Sequence, residues 1–267
     1  MLYKRDYRFL TEEEKANWNK AEEILHQSKI ISVENRKKYD KLMPEAAWHY
    51  KELFPNNYLN ITTLKDKEYW ETMKCEFQTL LNKNPNEREI LNYIKDKEYY
   101  FLVASILIYY PFGHHMAFLF REFEMPPNYI ADFLLVGKNS DGYHFVFVEF
   151  EKPFGAICTE DGDFGVTIRK GIKQLNDWDY WLEKNFSNLI PVFEKYLGFH
   201  ENVLPKEFYQ LDKTRINYAV VAGRRSNFSE KTYRLKRKLW RENNFLLLHY
   251  DNLIDDTGQI FRNKNFV

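Results

Sequence analysis

Only two cysteines, Cys75 and Cys158, occur in 267 residues. Their spacing suits neither a disulfide framework nor a metal site, and it fits a reducing cytoplasm. Net charge is missing too: 39 Lys and Arg balance 39 Asp and Glu. A chain-wide basic field is thereby excluded, and any nucleic-acid surface must be local. Long apolar runs are also absent. The longest, residues 99–112, is interrupted by Ser105 and ends in Pro111-Phe112. It falls short of the roughly 18 residues that a membrane span needs, and it reads as a buried helix or strand. No basic-then-apolar leader opens the sequence, so no signal peptide is expected. What is abundant is aromatic: 22 Phe, 19 Tyr and 6 Trp make 18% of the chain, which predicts an aromatic-rich core.

The first quarter of the chain is helical in pattern. Thr11 is a good N-cap with Glu14 at the capping-box position, for a helix to about Gln27. A polar helix over Val33–Leu42 and a third from Pro44 follow, before Pro55-Asn56-Asn57 breaks the pattern. Residues 60–66 read as a loop or short strand. Residues 1–73 are taken as an N-terminal helical region and 74–267 as the main domain. A helix from Lys67 to about Asn82 buries Trp70, Met73, Phe77, Leu80 and Leu81. Asn86 then caps a helix beginning at Glu87. Glu87 lies on the core side of that helix, either as a first-turn acid favoured by the dipole or as part of a site. His114-His115, adjacent in sequence, point different ways and make a poor chelate.

The chemistry concentrates in residues 130–153. Two strands, 131–136 and 144–152, are joined by the turn residues Asn139-Ser140-Asp141-Gly142. Strand alternation puts Phe145, Phe147, Glu149 and Glu151 on one face and Val146, Val148, Phe150 and Lys152 on the other. Two carboxylates at the end of so apolar a strand are costly unless something pairs with them. Asp132 comes close to Glu149 across the hairpin. Such a group suits a hard divalent cation.

An acidic residue on one strand, followed by Glu-x-(Glu/Lys) with a nearby lysine on the next, resembles the PD-(D/E)XK nuclease core. Glu149-Phe150-Glu151-Lys152-Pro153, behind Ala131-Asp132-Phe133, is similar to the nuclease domain of the Shedu antiphage defence proteins. The later helix, residues 167–183, bears KQLNDWDYWL, with Gln174 four residues before Trp178, and resembles the Shedu form of that element. The resemblance spans residues 74–256. It implies an α/β restriction-endonuclease-like fold, a mixed central sheet flanked by helices with the N-terminal helical region appended. It also implies a homo-oligomer, a cytoplasmic defence role and DNA as partner. By the same likeness Asp132 and Glu149 would hold Mg²⁺ or Mn²⁺, Glu87 would add a direct or water-mediated contact, and Gln174 would position the water, Lys152 or the substrate. One departure stands out. The motif lysine belongs two residues after the glutamate, where this chain has Glu151. Either Glu151 adds a ligand or acts as base, or a bulge before Pro153 turns Lys152 inward.

After Pro153, residues 154–165 read as a mobile loop at the mouth of a cleft. Residues 191–212 read as irregular. A buried strand, 216–223, leads to Arg224-Arg225, a basic helix over 230–242 and a strand over 246–250. Between Asp212 and Arg241 stand ten basic residues and only two acids. That excess suits a phosphate-binding surface, with Arg224, Arg225, Arg234, Lys238 and Arg241 as its candidates; a solvated helix face is the plain alternative. Arg234, Lys238 and Arg241 share one helix side and are expected beside the cleft. The leading expectation is a metal-dependent DNA endonuclease. The first alternative is a nuclease-derived module that binds without cutting. A glycosidase-like carboxylate pair, with about 7 Å between the Glu149 and Glu151 α-carbons, leaves the basic helix and Gln174 unexplained.

Overall fold

A computed structural model of the protein describes residues 2–26, 33–60, 67–110, 116–199 and 203–262. Its centre is a five-stranded mixed sheet with strands in sequence order. β1 (Met116–Met125), β2 (Tyr129–Asn139) and β3 (Gly142–Phe150) form an antiparallel meander. β4 (Ile216–Val221) and β5 (Phe245–Leu248) continue it parallel to β3. The β2–β3 turn falls where its residues demand: the Asn139 side chain accepts the Asp141 N–H at 2.9 Å, and Gly142 adopts φ 119°. Parallel neighbours need crossovers, and two helices supply them, α7 (Val166–Asn185) between β3 and β4 and α9 (Glu230–Asn243) between β4 and β5.

Alternation along β3 feeds two cores. Val146, Val148 and Phe150 join Phe133 and Leu135 in one. That layer is completed by α4 (Lys67–Leu81), α5 (Glu87–Lys97), α6 (Tyr100–Ala104) and α10 (Tyr250–Arg262). Phe145 and Phe147 face the other layer, with Ile168, Leu175 and Trp178 of α7, Phe193 of α8 (Ile190–Glu194) and Phe208. The aromatic excess is spent here: Phe193 and Phe208 meet edge-on at 4.8 Å, and Phe145 and Phe208 at 5.0 Å. The apolar run near residue 100 is helical, as α6 and the 3-10 turn Ser105–Tyr109, while Pro111 and Phe112 lie outside the described residues. No helix among the described residues is long and apolar enough to cross a membrane.

The N-terminal helices α1 (Glu12–His26), α2 (Val33–Leu42) and α3 (Glu45–Tyr50) enclose a small core around Ala21, Tyr39, Met43 and Ala47. α1 is capped as its sequence indicates: Thr11 N–H donates to Glu14 Oε2 at 2.8 Å and Glu14 N–H to Thr11 Oγ1 at 3.2 Å. This region is not set apart from the sheet. Leu2, Leu59 and Trp70 are buried in one sheet core and Leu53 and Phe54 in the other. A division after residue 73 would cut α4, whose Trp70, Met73, Phe77 and Leu81 share one cluster. The ends expected at Gln27, the segment 61–66 and His114-His115 lie outside the described residues.

Several strand ends differ from those the sequence predicts: β2 is longer than residues 131–136 at both ends, and β4 stops at Val221 rather than residue 223. β3 stops at Phe150 rather than residue 152. β5 stops at Leu248, and Tyr250 opens α10 instead of ending a strand. There His249 and Asn252 cap each other: His249 N–H donates to Asn252 Oδ1 and Asn252 N–H to His249 Nδ1, both at 3.2 Å. The continuous apolar run Phe245–Leu248 concealed that cap, and the Leu253, Thr257, Ile260 spacing was the signal for the helix. Residues 154–165 are irregular but anchored. Thr232 Oγ1 donates to the Gly162 carbonyl at 2.9 Å, and Lys231 Nζ bonds Asp161 at 2.9 Å.

Candidate active site

The end of β3 gathers the carboxylates. Beyond Phe150 the main chain stays extended beside β4. Glu151 N–H donates to the Val221 carbonyl at 2.8 Å, and Gly223 N–H donates to the Lys152 carbonyl at 3.1 Å. The hydroxyl of the buried Tyr250 donates to the Glu151 carbonyl at 2.7 Å. With no bulge to reverse them, Glu149 and Glu151 keep to the α7 side and are both buried, while Lys152 is exposed. Of the two alternatives, the inward turn of Lys152 does not occur, because paired backbone holds the alternation to the end.

Asp132 arrives differently. β1 and β2 pair at Arg121 with Phe133 and again at Phe123 with Ala131, but the pair between them drops out. Glu122 there has φ 46°, a left-handed conformation that costs energy for any residue but glycine. The alternation slips at this point, so Phe123 and Ala131 sit in the α7-side core. Asp132 then borders a groove under α5 together with Arg121 and Phe133. Its carboxylate accepts the Phe150 N–H at 2.7 Å, which ties the start of β2 to the end of β3.

α5 contributes Glu87. Its N-terminus is a reciprocal capping box in which Asn86 accepts the Glu89 N–H at 3.0 Å and Glu89 accepts the Asn86 N–H at 2.7 Å. Glu89 is thus committed to the cap, and Glu87 reaches the sheet end, half-buried. From the opposite layer comes Lys170 of α7. Its Nζ lies 2.9 Å from Glu151 Oε1 and 3.0 Å from Oε2, with the hydrogen bond made to Oε2, and 3.9 Å from Glu87 Oε2. Lys170 is a functional candidate outside the sequence motif. The available signal was its place four residues before Gln174, which puts both on one helix face.

Glycine lets α7 approach. A Cβ at Gly171 would meet Val220 Cγ2 at 2.3 Å and Glu151 Cγ at 3.2 Å. Gly171→Ala is therefore expected to destabilise the fold. Overpacking of about 1–3 kcal/mol exceeds the roughly 1 kcal/mol gained in helix propensity. The same change should push Lys170 from Glu151. Thermal unfolding checks this, and an unchanged or higher Tm would show that α7 and β4 yield at no cost.

Burial pushes the carboxyl groups of Asp132, Glu149 and Glu151 up from their ordinary range. Neighbouring Glu87 and Glu151 add to this at Asp132, and Asp132 and Glu151 add to it at Glu149. Lys170 pulls the other way on all three. Glu149 Oε2 is buried without a hydrogen-bond partner. Crowded carboxylates with one bare acceptor must gain either protons or a cation. The all-oxygen donor set, Asp132 and Glu149 with Glu87 near, fits a hard divalent ion. Among the described residues, however, no three His, Cys, Asp or Glu side chains already stand at ligand separation.

The other sequence candidates lie around this centre. Gln174 lines an open cleft with Lys170, Lys173, Asp177, Tyr129 and Ile130. Arg224 is held by Asp251, with its Nη2 2.7 Å from Oδ1, and Arg225 pairs with Asp255. Both arginines thus tie the end of β4 to α10. Arg234, Lys238 and Arg241 are exposed on α9, as expected. Their position relative to the site is not as expected. Ser229, the N-cap of α9, is at the carboxylate edge against Gly162. Asn244, its C-cap, bonds Asn217 at the start of β4 at 3.0 Å. The basic row therefore leads away from the carboxylates rather than along the cleft. Much of the local charge excess is also matched: Lys213 to Asp179 and Glu183, Arg215 to Asp141 and Asp212, and Lys231 to Asp161 and Asp163.

A mixed sheet flanked by helices, with buried carboxylates and a lysine converging at the end of its central strand, defines an α/β protein with a charged site at a strand terminus. The sequence matches the family described as Shedu protein SduA, C-terminal, over residues 76–254. The chain belongs to that family of Shedu defence proteins. No curated protein matches it. The matched span runs from α4 into α10 and contains every site residue discussed above.

Proposed function

We propose that the protein is a metal-dependent DNA endonuclease acting in the cytoplasm in antiphage defence. One observation carries the reading: carboxylates from three elements, Glu87, Asp132, Glu149 and Glu151, meet Lys170 at the end of β3, with Glu149 Oε2 bare. Asp132 and Glu149 would hold Mg²⁺ or Mn²⁺, and Glu87 would support it. The bound ion would supply a Lewis acid for the scissile phosphate and lower the pKa of a water. The chain's own part is then electrostatic and positional. Asp132, held by the Phe150 N–H through one oxygen, has its other oxygen for the ion. Lys170 is a cation that can leave Glu151 for an approaching phosphate oxygen and stabilise the charge that develops there. Glu151, relieved of Lys170, is a base of raised pKa placed to orient or deprotonate the attacking water. Gln174, four residues along the same face of α7, can hold that water or the phosphate. Incubation of plasmid and linear DNA with Mg²⁺, Mn²⁺ or EDTA tests the activity, and no cleavage with either ion would overturn it.

A module that binds DNA or a partner without cutting has one observation in its favour: Glu151 occupies the usual lysine position. Lys170, reaching Glu151 from α7, meets that objection by supplying the cation from another element.

The site also predicts a pH dependence. A raised carboxyl pKa contributes stability that is fully present below the unfolded value of about 4. That stability is lost as pH rises through the folded-state value. Without divalent ion, the Tm of wild type relative to Glu149→Gln should therefore fall as pH rises from about 4 into the neutral range. Adding Mg²⁺ or Mn²⁺ should restore the wild type and leave Glu149→Gln unmoved. Parallel Tm curves for the two proteins, with and without ion, would remove Glu149 from the site.

A further inference from the structure

Two concavities flank the carboxylates, a small one that Asp132 lines and an open cleft that Lys170 lines. One lies under α5 and is lined by Arg88, Lys95, Tyr100, Arg121, Glu122 and Asp132. The other runs along α7 past Ile130, Lys170, Lys173 and Gln174. Asp132 and Ile130, two residues apart at the start of β2, line one each, so both concavities lie at the same strand end.

The cations in them are of two kinds. Lys170 is matched to Glu151, and Arg88 lies 3.6 Å from Glu122. Arg121, Lys173 and the exposed Lys95 have no carboxylate partner among the described residues. Arg121 is also held in place. Its guanidinium lies 4.4 Å from the centre of the Tyr3 ring, and its Nη1 donates to the Tyr100 hydroxyl at 3.1 Å. Tyr3 is itself anchored, donating to the Leu119 carbonyl at 2.8 Å. A half-buried guanidinium, stacked on one ring, tethered to another and lacking a counter-ion, keeps free donors in a fixed fork. That is the geometry that suits a phosphate.

We propose that one DNA strand crosses the end of the sheet from the α5 groove to the α7 cleft, its phosphates held by Arg121 before the carboxylates and by Lys173 after them. The inference rests on the nuclease reading for the role of the carboxylates and adds the path of the substrate. The strand then runs across the β2 and β3 termini and not along α9. Arg121 and Lys173 are positioning residues, placing the phosphate between them against Asp132, Glu149 and Lys170. Ile130, 59% exposed in the α7 cleft, is placed to meet a sugar or base edge of that strand.

The test is DNA affinity of the full chain in EDTA, at several salt concentrations, with a duplex probe. Arg121→Gln and Lys173→Gln should each weaken binding several-fold and make the salt slope shallower by about 0.9 per lost contact. Arg121→Lys, which keeps the charge and loses the fork, should retain the slope and lose part of the affinity. Lys173 is exposed, so its substitution cannot act by unfolding the protein. The Arg234→Gln, Lys238→Gln, Arg241→Gln triple mutant removes three charges from α9, and its loss of affinity and slope should be the smaller. Wild-type affinity and slope in both Arg121→Gln and Lys173→Gln would overturn the path. So would equal damage in Arg121→Gln and Arg121→Lys with a lowered Tm and no change in Lys173→Gln, since that pattern marks a packing role alone. Absence of DNA binding by the wild type overturns it as well. Because no ion is present, these outcomes are independent of cleavage: a chain that binds along this path and never cuts with Mg²⁺ or Mn²⁺ fails the nuclease reading and keeps the path.

Discussion

Asp132→Ala and Glu149→Ala are each expected to abolish DNA cleavage, by on the order of 10³-fold or more, while the protein stays folded. The magnitude follows from losing charge compensation at the scissile phosphate, where single electrostatic groups are worth about 10²–10³-fold and the ion they hold supplies further stabilisation. Folding should survive for a separate reason. Glu149 is buried with an unpartnered oxygen among Asp132, Glu151 and Glu87, so removing its carboxylate relieves a cost. Asp132 is a closer balance, because its hydrogen bond to the Phe150 N–H is lost with it. The Glu149 variant should therefore show the higher Tm of the two in EDTA. Cleavage rates and thermal unfolding on the same preparations check both parts. Full activity in either variant would sink the assignment of that residue.

Lys170→Gln is expected to reduce cleavage about 10²–10³-fold, while Lys152→Ala changes it little. The sequence motif points to Lys152, but its side chain is exposed, and the cation at the carboxylates is Lys170, 2.9 Å from Glu151. The stability effect should be small by comparison. Breaking a fully buried pair costs about 3–5 kcal/mol, but the Lys170 side chain is 58% exposed. Water screens it, and a cost nearer 1 kcal/mol is expected. Activity and stability thus separate the chemical role from a structural one. Glu151→Gln, which removes the proposed base, should also lose activity, and Lys170→Gln combined with Glu151→Gln should be no more active than either single variant, because groups that act as a unit are not additive. A normal cleavage rate in Lys170→Gln, with loss in Lys152→Ala, would return the role to the motif lysine.

Local chemistry determined much of this protein directly. Asn86 and Glu89 cap α5, Thr11 and Glu14 cap α1, and Asn139 to Gly142 turn the hairpin, because each needs only residues within a few positions of one another. Period-two alternation placed Glu149 and Glu151 on the Phe145 and Phe147 side of β3 without reference to any other strand. The Asp132 and Glu149-to-Pro153 pattern, with Gln174, was sufficient to suggest the Shedu family. Three things were decided only by tertiary structure. The lysine at the carboxylates belongs to α7, nineteen residues beyond Glu151, and it arrives because Gly171 lets that helix lie against Val220. The approach of Asp132 to the end of β3 depends on the broken pair and the left-handed Glu122 in β1, a distortion with no signature in the β2 sequence. The basic excess between Asp212 and Arg241 is a property of a sequence window. In space Asp179, Glu183, Asp251 and Asp255 come from other elements to neutralise it. A charge counted along the chain says which residues are neighbours in sequence, whereas the potential at a surface depends on which charges folding brings within a few ångströms.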